Sequence, residues 1–592
     1  MKRWIVDRYD VEAARSLASR AKISDLTAFL LIKRGISEKE TAEAFLNANL
    51  NEHLRKPESL PGCVAVAEKL YKAIKNQQKI VIYGDYDVDG ITGTVILYHT
   101  VKDLGGNADY YVPSRLDEGY GLNSEAVRKL AAGGASVIVT VDCGIGSVAE
   151  AETAKEYGVE LLITDHHTLG NQLPDAAAIC HADLPAAEKY PFPHLCGAAV
   201  ALKVSWAVGQ LANNGLGQPV SSRFRERLKE MLGLAALGTV ADFVPLRDEN
   251  RALVRGGLPF LAPKFASGGL KNLLEKAHYS SSNKSGTKNP MSAEFAAFQI
   301  APRINAVGRL GQAGLAVELL LSSDNNRTKQ IAEDIEVYNE ERKRIEKEIY
   351  KEAEKQIEER FEPQSAPAFV LAGDWHRGVI GIVAGRLADK YHRPVILLGR
   401  DKMGLNPAVG SARSVADFNL YAAIEACGEY LIRFGGHAGA AGVTLAVENI
   451  DAFRSAFCRY VAERITPEER IAELHIEGVF PLGAFTVQTV REILSLAPFG
   501  CENPSPIFVA EGVTVQNVRP MGRDGSHFSA DFFQSGGQHG IVIRGIAFNR
   551  RDWVELMQPY DTPMDIAFKA RISDYSGKAE LDILDWRRND NG

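Results

Sequence analysis

The chain has 592 residues, which is too long for one hydrophobic core and predicts three or four domains. Its composition, 45% hydrophobic and 24% charged, is typical of globular proteins, and no apolar run is long enough for a transmembrane helix. The net charge of −7 argues against a protein that coats nucleic acid nonspecifically, but not against a nuclease whose bound cations offset its carboxylates.

The cysteines and the first residues of the chain indicate the cellular compartment. Seven cysteines are scattered through the chain without a Cys-x-x-Cys pair, so we expect neither a zinc ribbon nor a disulfide framework. Charged residues come too soon after Met1 for the apolar core of a secretory signal. These features predict a cytoplasmic protein, because the cytoplasm keeps thiols reduced.

In chain order, residues 1–55 predict a small helical segment, with apolar residues at helical spacing from Leu26 to Leu46. Residues 56–325 alternate apolar strands with helical segments, which predicts a domain with a parallel sheet and helices on both faces. The predicted strands are Lys79–Tyr83, Ala108–Val112, Ser136–Val141 and Glu160–Thr164.

Acidic and imidazole side chains follow three of these strands. Those side chains are Asp85, Asp87, Asp89, Asp142, Asp165, His166 and His167. In open α/β sheets, sites form beyond the carboxyl ends of the strands, so we expect these groups to meet. Asp242 lies between apolar residues later in the chain, where a lone carboxylate needs a partner. Taken alone, the Asp85–Asp89 segment would more simply be an acidic surface turn.

The combination of carboxylates and imidazoles suits Mn²⁺ or Mg²⁺ better than a metal that prefers thiolates. The cluster holds too many carboxylates for one ion, so we predict two ions per site, an arrangement that hydrolyses phosphodiesters or phosphoanhydrides. We find no Walker loop, His-Glu-x-x-His, Gly-x-Ser-x-Gly or dinucleotide-binding Gly-x-Gly-x-x-Gly after the first strand. Metal-assisted hydrolysis is therefore the predicted reaction class.

Residues 326–362 predict one long charged helix of about 50 Å, which we interpret as a bridge between two domains. Packing along a single domain is the alternative. Residues 363–468 repeat an α/β pattern on a smaller scale. The glycines around His437 are typical of a backbone that approaches an anion closely, although tight turns with an incidental histidine would look the same.

Residues 469–592 contain short strands joined by Gly, Asp and Asn, which predicts a small β-barrel such as an oligonucleotide-binding (OB) fold. The aromatic side chains Phe528, Phe532, Phe533 and Phe548 are candidates for stacking on bases, although core packing is the commoner fate of such residues. The predicted fold class is thus multidomain α/β, with a parallel-sheet domain, a long helix, a smaller α/β domain and a C-terminal barrel.

Several motifs resemble those of the DHH phosphoesterase superfamily, namely Tyr83-Gly-Asp-Tyr-Asp-Val-Asp-Gly90, Thr140-Val-Asp-Cys-Gly144, Thr164-Asp-His-His167 and Gly238-Thr-Val-Ala-Asp242. The segment Ile300-Ala-Pro-Arg-Ile-Asn-Ala-Val-Gly-Arg-Leu310 is similar to the RecJ branch, the single-strand-specific 5′→3′ DNA exonucleases. Two further motifs, Gly410–Ser414 and Phe434–Gly442, resemble its companion DHHA1 domain. The resemblance covers nearly the whole chain.

The resemblance implies a role for each candidate residue. Two Mn²⁺ or Mg²⁺ ions would be held by Asp85, Asp87, Asp89, Asp142, His166 and Asp242. Of the three clustered aspartates, Asp85 is the weakest candidate, since two ions need not contact all of them. His167 would contact the scissile phosphate. The residues implied in DNA contact are Arg303 and Asn305 near the site, Arg115, Ser411 and Arg413 around a 5′-terminal phosphate, and His437 in the cleft.

The resemblance further implies release of 5′-mononucleotides in DNA repair and recombination. The implied partners are single-stranded DNA with a 5′ end, a single-strand-binding protein and a RecQ-type helicase, with no membrane, and we expect a monomer. A nano-RNA or cyclic-dinucleotide phosphodiesterase or a pyrophosphatase would be shorter and would not need the barrel, whereas an inactive replication scaffold should have lost carboxylates. One stretch, Ile179–Pro185, departs from the Asn-Pro that commonly follows the Asp-His-His motif.

Overall fold

The structure is a computed structural model that describes residues 2–6, 10–115, 118–119, 121–185, 189–264, 266, 268–281, 290–401, 403, 406–415, 418–522, 525–535 and 540–588. Within these ranges the chain builds two α/β domains joined by one long helix, a C-terminal barrel and an N-terminal helical segment. No helix within them combines the length and the apolar run that a bilayer crossing requires.

The first α/β domain contains a five-stranded parallel sheet. Its strands, from one edge to the other, are Asn107–Tyr111, Lys79–Gly84, Val137–Val141, Glu160–Thr164 and Ala178–Cys180. The register aligns the last residues of the three central strands, Gly84, Val141 and Thr164. The next residues, Asp85, Asp142 and Asp165, therefore begin their loops at one edge of the sheet.

Helices cover both faces of this sheet, which explains why its strands are apolar throughout. Ile80 and Ile82 pack into one core, and Val81 and Tyr83 pack into a second core on the opposite face. The helices are Cys63–Lys75, Val88–Asp103, Ser124–Ala132, Val148–Glu156, Gly197–Leu211, Ser222–Ala241, Asp248–Gly257, Gly268–Lys276, Ala293–Phe295, Ala301–Arg309 and Gly314–Leu321. Shorter turns are the 3₁₀ segments Pro57–Ser59 and Leu258–Leu261 and the π turn Ala296–Ile300.

One helix, Asn325–Arg360, connects the two α/β domains, and its 36 residues span about 54 Å at 1.5 Å each. Asp324 caps its start by accepting hydrogen bonds from two backbone N–H groups. Ile331 and Ile335 pack into the core of the first domain, and Ile349 and Ile357 pack into the core of the second. The predicted bridging helix is confirmed, and we call it the connecting helix.

The second α/β domain has a mixed five-stranded sheet. The strand order is Arg433–Gly436, Ala440–Leu445, Ala408–Arg413, Val395–Gly399 and Phe369–Gly373, and the last pair is parallel. Its helices are Ile380–Tyr391, Leu420–Glu425 and Ile450–Ala462, with 3₁₀ turns at Gly428–Tyr430 and Val447–Asn449. Ser411 pairs with Gly442, and Arg413 pairs with Ala440, so the predicted phosphate residues border the glycine-rich hairpin.

The C-terminal domain is a closed five-stranded barrel, as predicted. Around the ring its strands are Phe508–Met521, His527–Gln534, Ile541–Ala547, Ala579–Arg588 and Met564–Ile572, and the last pairs with the first. A short strand, Gly478–Val479, extends the sheet, and the helices are Val487–Leu494 and Trp553–Leu556, with a 3₁₀ turn at Leu482–Ala484. Phe528 and Phe532 are fully buried in the barrel core, whereas Phe548 is 48% exposed.

The N-terminal segment packs against this barrel. Its helices are Val11–Ala21, Asp25–Lys33, Lys39–Leu46 and Leu50–His53. Leu17 and Phe29 share one core with Phe508 of the barrel. The strand Arg3–Val6 pairs in parallel with Glu473–Ile476, and the sequence did not reveal this strand because its partner lies about 470 residues away.

Candidate metal centre

The loop after strand Lys79–Gly84 carries three aspartates in different environments. Asp87 caps the following helix, because its Oδ1 accepts hydrogen bonds from the N–H groups of Asp89 and Gly90 at 2.9 and 3.2 Å. Asp85 has a buried Oδ1 that accepts no hydrogen bond from the described residues. A buried carboxylate oxygen without a partner is unfavourable unless a cation lies beside it. The structure therefore makes Asp85 a stronger candidate ligand than the sequence did.

Asp89 and Asp242 each lie beside a helix terminus. The helix Gly197–Leu211 begins beside Asp89, and the helix Ser222–Ala241 ends beside Asp242. The two oxygens of Asp89 accept hydrogen bonds from the N–H groups of Gly197 and Ala198, at 2.6 and 2.9 Å, where the helix Gly197–Leu211 begins. Asp242 directly follows the helix Ser222–Ala241. Both carboxylates are thus placed by helix termini rather than by flexible loops.

Two glycines let these helices approach the carboxylates of the cluster. An added Cβ at Gly238 would lie 2.5 Å from Asp89 Oδ1, and one at Gly197 would lie 2.6 Å from Asp142 Cβ. Both distances are shorter than any stable carbon contact. Glycine is therefore required at both positions for the carboxylates to keep their places.

Asp142 and His166 occupy the middle of the cluster. Asp142 has a φ of 62°, a left-handed conformation that aspartate tolerates better than most residues. His166 Nε2 lies 3.0 Å from Asp142 Oδ1, 3.6 Å from Asp242 Oδ2 and 3.8 Å from Asp89 Oδ2. The imidazole thus faces three carboxylates from three separate segments of the chain.

All seven residues predicted for catalysis and metal binding come together. Their ligating atoms form three overlapping groups, each within 4.8 Å, namely Asp85–Asp87–Asp142, Asp89–His166–Asp242 and Asp142–His166–His167. Oxygen and imidazole ligands of this kind suit Mn²⁺ or Mg²⁺. Two of the groups share no residue, which fits the predicted pair of ions.

The electrostatics of the cluster also call for cations. Burial raises the pKa of Asp85, Asp142 and Asp242 well above the usual range, and neighbouring carboxylates raise it further. Burial raises the pKa of Asp89 as well, although His166 opposes this shift. Bound divalent cations would remove both the desolvation penalty and the mutual repulsion.

Asp165 follows the same strand as His166 and His167, but its sequence position alone indicated no particular role for it. Its Oδ1 accepts hydrogen bonds from His167 Nδ1 at 2.8 Å and from the N–H of His166 at 2.7 Å, and its Oδ2 accepts one from the N–H of Ile145. Burial alone would raise its pKa, but the hydrogen bond and charge of His167 lower it to about 2. The available signal was its position after a central strand, level with Asp85 and Asp142.

The two histidines of the motif have opposite pKa shifts. Burial lowers the pKa of His166, which favours the neutral ring that a metal requires. Burial also acts to lower the pKa of His167, but the hydrogen bond and charge of Asp165 raise it above the usual value. His181, in the Ile179–Pro185 stretch, is fully buried, and its Nε2 lies 2.8 Å from the carbonyl oxygen of His167. This contact holds His167 in place.

Arg303 and Asn305 do not join the cluster. The Arg303 guanidinium, 9% exposed, contacts Glu336 of the connecting helix at 2.7 and 3.2 Å and donates to the carbonyl of Gln299. Asn305 Oδ1 accepts a hydrogen bond from the N–H of Val88 at 3.2 Å, beside the aspartate loop. Their predicted contact with DNA stays a prediction.

The residues predicted for a 5′-phosphate pocket lie together, and Arg309 lies with them. Arg413 donates to Ser411 Oγ at 3.0 Å, and an added Cβ at Gly381, where the helix Ile380–Tyr391 begins, would lie 2.8 Å from that hydroxyl. Burial and the nearby guanidiniums of Arg115 and Arg413 are the main causes that lower the pKa of Arg309 to about 10. We call Arg115, Arg309 and Arg413 the arginine cluster.

Arg309 lies in the same Ile300–Leu310 segment as Arg303, and the sequence does not distinguish the roles of the two arginines. The structure distinguishes the two arginines, because Arg303 faces the connecting helix whereas Arg309 contacts the carbonyl of Gly378 in the second domain. His437 lies in the exposed turn of the glycine-rich hairpin, where its Nδ1 accepts a hydrogen bond from the N–H of Gly439.

Three segments of the chain match known domain families. Residues 79–239 match the DHH family N-terminal domain, residues 365–463 the DHHA1 domain and residues 476–584 the RecJ OB domain. The first match contains the aspartate loop and the Asp-His-His motif. The order of the three domains along the chain is the order predicted from the sequence.

Relatives match over nearly the full length. The single-stranded-DNA-specific exonuclease RecJ of Bacillus subtilis is 37% identical over 584 residues, which are 98% of this chain and 70% of the relative. The chain belongs to the RecJ family. The RecJ of Escherichia coli strain K12 is 31% identical over 578 residues, which cover 95% of this chain and 96% of that relative.

Solved structures of RecJ agree in fold. RecJ of Thermus thermophilus in complex with Mn²⁺ matches with a TM-score of 0.80 and 29% identity, over 99% of this chain and 80% of that one. Its complex with Mg²⁺ gives a TM-score of 0.74 at 28% identity, over 99% of this chain and 79% of that one. The predicted family, fold class, metal-dependent enzyme class and cofactor are therefore confirmed.

Proposed function

We propose that this RecJ-family chain degrades single-stranded DNA from the 5′ end by hydrolysis of phosphodiester bonds and releases 5′-mononucleotides. The proposal rests on the arginine cluster beside the metal centre, where the guanidinium of Arg115 lies 4.9 Å from the ring of Tyr86 in the aspartate loop and Arg309 contacts the carbonyl of Gly378 in the second domain. A metal centre alone could cut at any bond, whereas an adjoining pocket for a terminal phosphate restricts the cut to a chain end.

The ligands of the two ions would be Asp85, Asp87, Asp89, Asp142, His166 and Asp242. When bound, Mn²⁺ or Mg²⁺ supplies a nucleophile at neutral pH and stabilises the charge that develops on the phosphate. The chain contributes orientation, because backbone N–H groups hold Asp87 and Asp89 in place. Ligands placed in advance need little rearrangement during the reaction.

His167 acts on the scissile phosphate. Asp165 fixes its Nδ1 as a hydrogen-bond donor and favours the imidazolium form, in which both ring nitrogens carry protons. An imidazolium Nε2–H donates a charge-assisted hydrogen bond to a phosphate oxygen, which stabilises the additional negative charge of the transition state. His181 supports this role from behind through the carbonyl of His167.

The terminal phosphate binds among Arg115, Arg309, Arg413 and Ser411, where the helix Ile380–Tyr391 begins. Arginine forks and the N–H groups of a helix N-terminus both favour a phosphate. Burial lowers the pKa of Arg413, and the charge of Arg115 lowers it further, so an anion between them relieves repulsion. His437 lines the same cleft from the glycine-rich hairpin. Arg303 supports the site through Glu336 of the connecting helix, and Asn305 supports it through the N–H of Val88.

The barrel holds the rest of the strand. Exposed Phe548 lies 5.2 Å from the ring of His527 and 5.7 Å from the guanidinium of Arg571, a combination that suits base stacking and phosphate contact. We propose further that the chain works as a cytoplasmic monomer in DNA repair and recombination, with a single-strand-binding protein and a RecQ-type helicase as partners. Seven free thiols suit a reducing compartment.

The test uses single strands labelled at either end, with 5′-phosphate or 5′-hydroxyl termini, incubated with Mn²⁺. We expect the 5′ label to leave first as a mononucleotide, and duplex ends to resist. Arg413→Ala should reduce the preference for phosphorylated ends about tenfold, because a hydrogen bond to a charged group is worth about 1.5–3 kcal/mol. Arg464→Ala, an exposed arginine of the same domain, is the matched control. First release of the 3′ label would refute the polarity, and an unchanged preference would remove Arg413 from the pocket.

A further inference from the structure

Phe243 directly follows the metal-site residue Asp242 and is 67% exposed. Single exposed apolar residues are common on proteins and need no special explanation. This one also has a φ of 57°, in the left-handed region that bulky side chains rarely adopt. Two independent unfavourable features thus coincide at one position beside the proposed reaction site.

The backbone around Phe243 explains its conformation but not its identity. Asp242 caps the end of the helix Ser222–Ala241, and Phe243 takes the next position, where a left-handed residue terminates many helices. Glycine is preferred there because it has no Cβ. A phenylalanine at this position strains the backbone and also leaves its ring in water, so folding alone would favour replacing it.

The loop holds Phe243 in a fixed place. On one side, Asp242 belongs to the metal cluster. On the other side, Leu246 is buried and its N–H donates to the carbonyl of Cys501 at 2.9 Å, while the carbonyl of Pro245 accepts a hydrogen bond from buried Asn250 at 3.1 Å. An aromatic ring on a rigid loop loses little conformational entropy when a ligand binds it.

We propose that the ring of Phe243 is a stacking surface for a nucleobase of the strand that lies in the metal centre. Bases of single-stranded DNA expose their faces, and an aromatic side chain stacks on any of the four without hydrogen-bond readout. A base in a duplex is already stacked and paired, so the contact also favours single strands. The inference deepens the proposed exonuclease, since it requires that a single strand pass the metal centre.

The test compares Phe243→Gly, Phe243→Trp and Lys22→Gly in the full-length chain. Lys22 is the matched control, because it also follows a helix, with a φ of 55°, but lies in the N-terminal segment. Both glycine variants should keep or raise the thermal midpoint, since glycine adopts this conformation without strain. Phe243→Gly alone should raise the Kd for a single strand, by about tenfold, whereas Phe243→Trp should keep it.

Abasic strands then show whether a base is what Phe243 contacts. A single abasic position is moved along the first nucleotides of the strand, and Kd is measured by fluorescence anisotropy in EDTA. The wild-type chain should lose about tenfold in affinity at one position, and Phe243→Gly should lose nothing further there, because the two changes remove the same contact. With Mn²⁺, Phe243→Gly should raise KM about tenfold and change kcat little.

Two results would overturn the proposal. One is an unchanged Kd in Phe243→Gly, whatever happens to the thermal midpoint. The other is a loss of affinity in this variant that is the same on every abasic strand, which would show that no base is involved. Binding in EDTA does not depend on cleavage, so a failure of the wild-type chain to degrade DNA would count against the exonuclease and not against the stacking contact.

Discussion

The ion pair between Arg303 and Glu336 allows a quantitative test of what Arg303 does. Removing one partner of a fully buried pair costs about 3–5 kcal/mol, and we reduce this to about 2 kcal/mol because Glu336 is 26% exposed and can be hydrated again. In a domain of about 150–250 residues, 1 kcal/mol shifts the thermal midpoint by about 2–4 °C. Arg303→Ala should therefore lower the midpoint of the first domain by about 4–8 °C.

A double-mutant cycle with Glu336→Ala isolates the pair. If the guanidinium acts mainly through Glu336, the second substitution should add little, and the coupling free energy should exceed about 1 kcal/mol. Lys276 and Glu333 provide the control, because Glu333 lies on the same helix but the pair is exposed, at 37% and 52%. Exposed pairs of this kind contribute about 0–1 kcal/mol, so Glu333→Ala should change the midpoint little.

Measurements of DNA binding distinguish the stabilising ion pair of Arg303 from the DNA contact that the sequence resemblance implies. A side chain that contacts one backbone phosphate contributes about 0.7 to the slope of log K against log salt for a single strand. We expect that slope to be the same in wild type and Arg303→Ala, measured by anisotropy without divalent metal. Two results together would refute the stabilising role of Arg303 and favour a contact with DNA. One is a slope reduced by this amount in Arg303→Ala, and the other is a pair of stability changes in the cycle that simply add.

Two further predictions concern acidic and titratable groups. Asp142→Asn should abolish Mn²⁺-dependent cleavage, keep strand binding and raise the thermal midpoint in EDTA, because it removes one of several mutually repelling carboxylates; retained cleavage would contradict the metal assignment. Burial and the cation Arg227 lower the pKa of His99 to about 4, so the unfolded chain binds a proton below about pH 6.5 that the folded chain rejects. Stability should thus fall by up to about 3 kcal/mol as the pH drops from 6.5 to 4, and His99→Gln should weaken this dependence. Equal pH dependence of the thermal midpoint in His99→Gln and wild type would exclude His99 as its source.

The clustering of residues in the candidate metal centre could be predicted because parallel topology determines where strand ends lie. A parallel sheet brings the carboxyl ends of its strands to one edge, so aspartates that follow separate apolar runs are expected to meet. Asp85, Asp142 and His166 lie on three separate loops, yet each of these loops follows such a run. The connecting helix could be predicted for a similar reason, since its apolar spacing continues past the length of one domain.

Other features depend on contacts that spacing cannot reveal. Arg303 and Arg309 stand six positions apart in one motif, and only the packed helix shows that they face different partners. The strand Arg3–Val6 depends on a partner near residue 473. The positive φ of Phe243 could not be predicted from the sequence, because phenylalanine rarely adopts the left-handed conformation that glycine commonly takes at the end of a helix.

The glycines at 197 and 238 have a consequence for reading natural variation in this chain. Replacement of glycine by alanine is usually counted among the mildest changes, and an alanine scan would treat these positions as peripheral. Here the added methyl groups would occupy space belonging to Asp142 and Asp89. A methyl group at either site would displace a carboxylate of the candidate centre, so a substitution can impair the reaction at a residue that contributes no functional group to it.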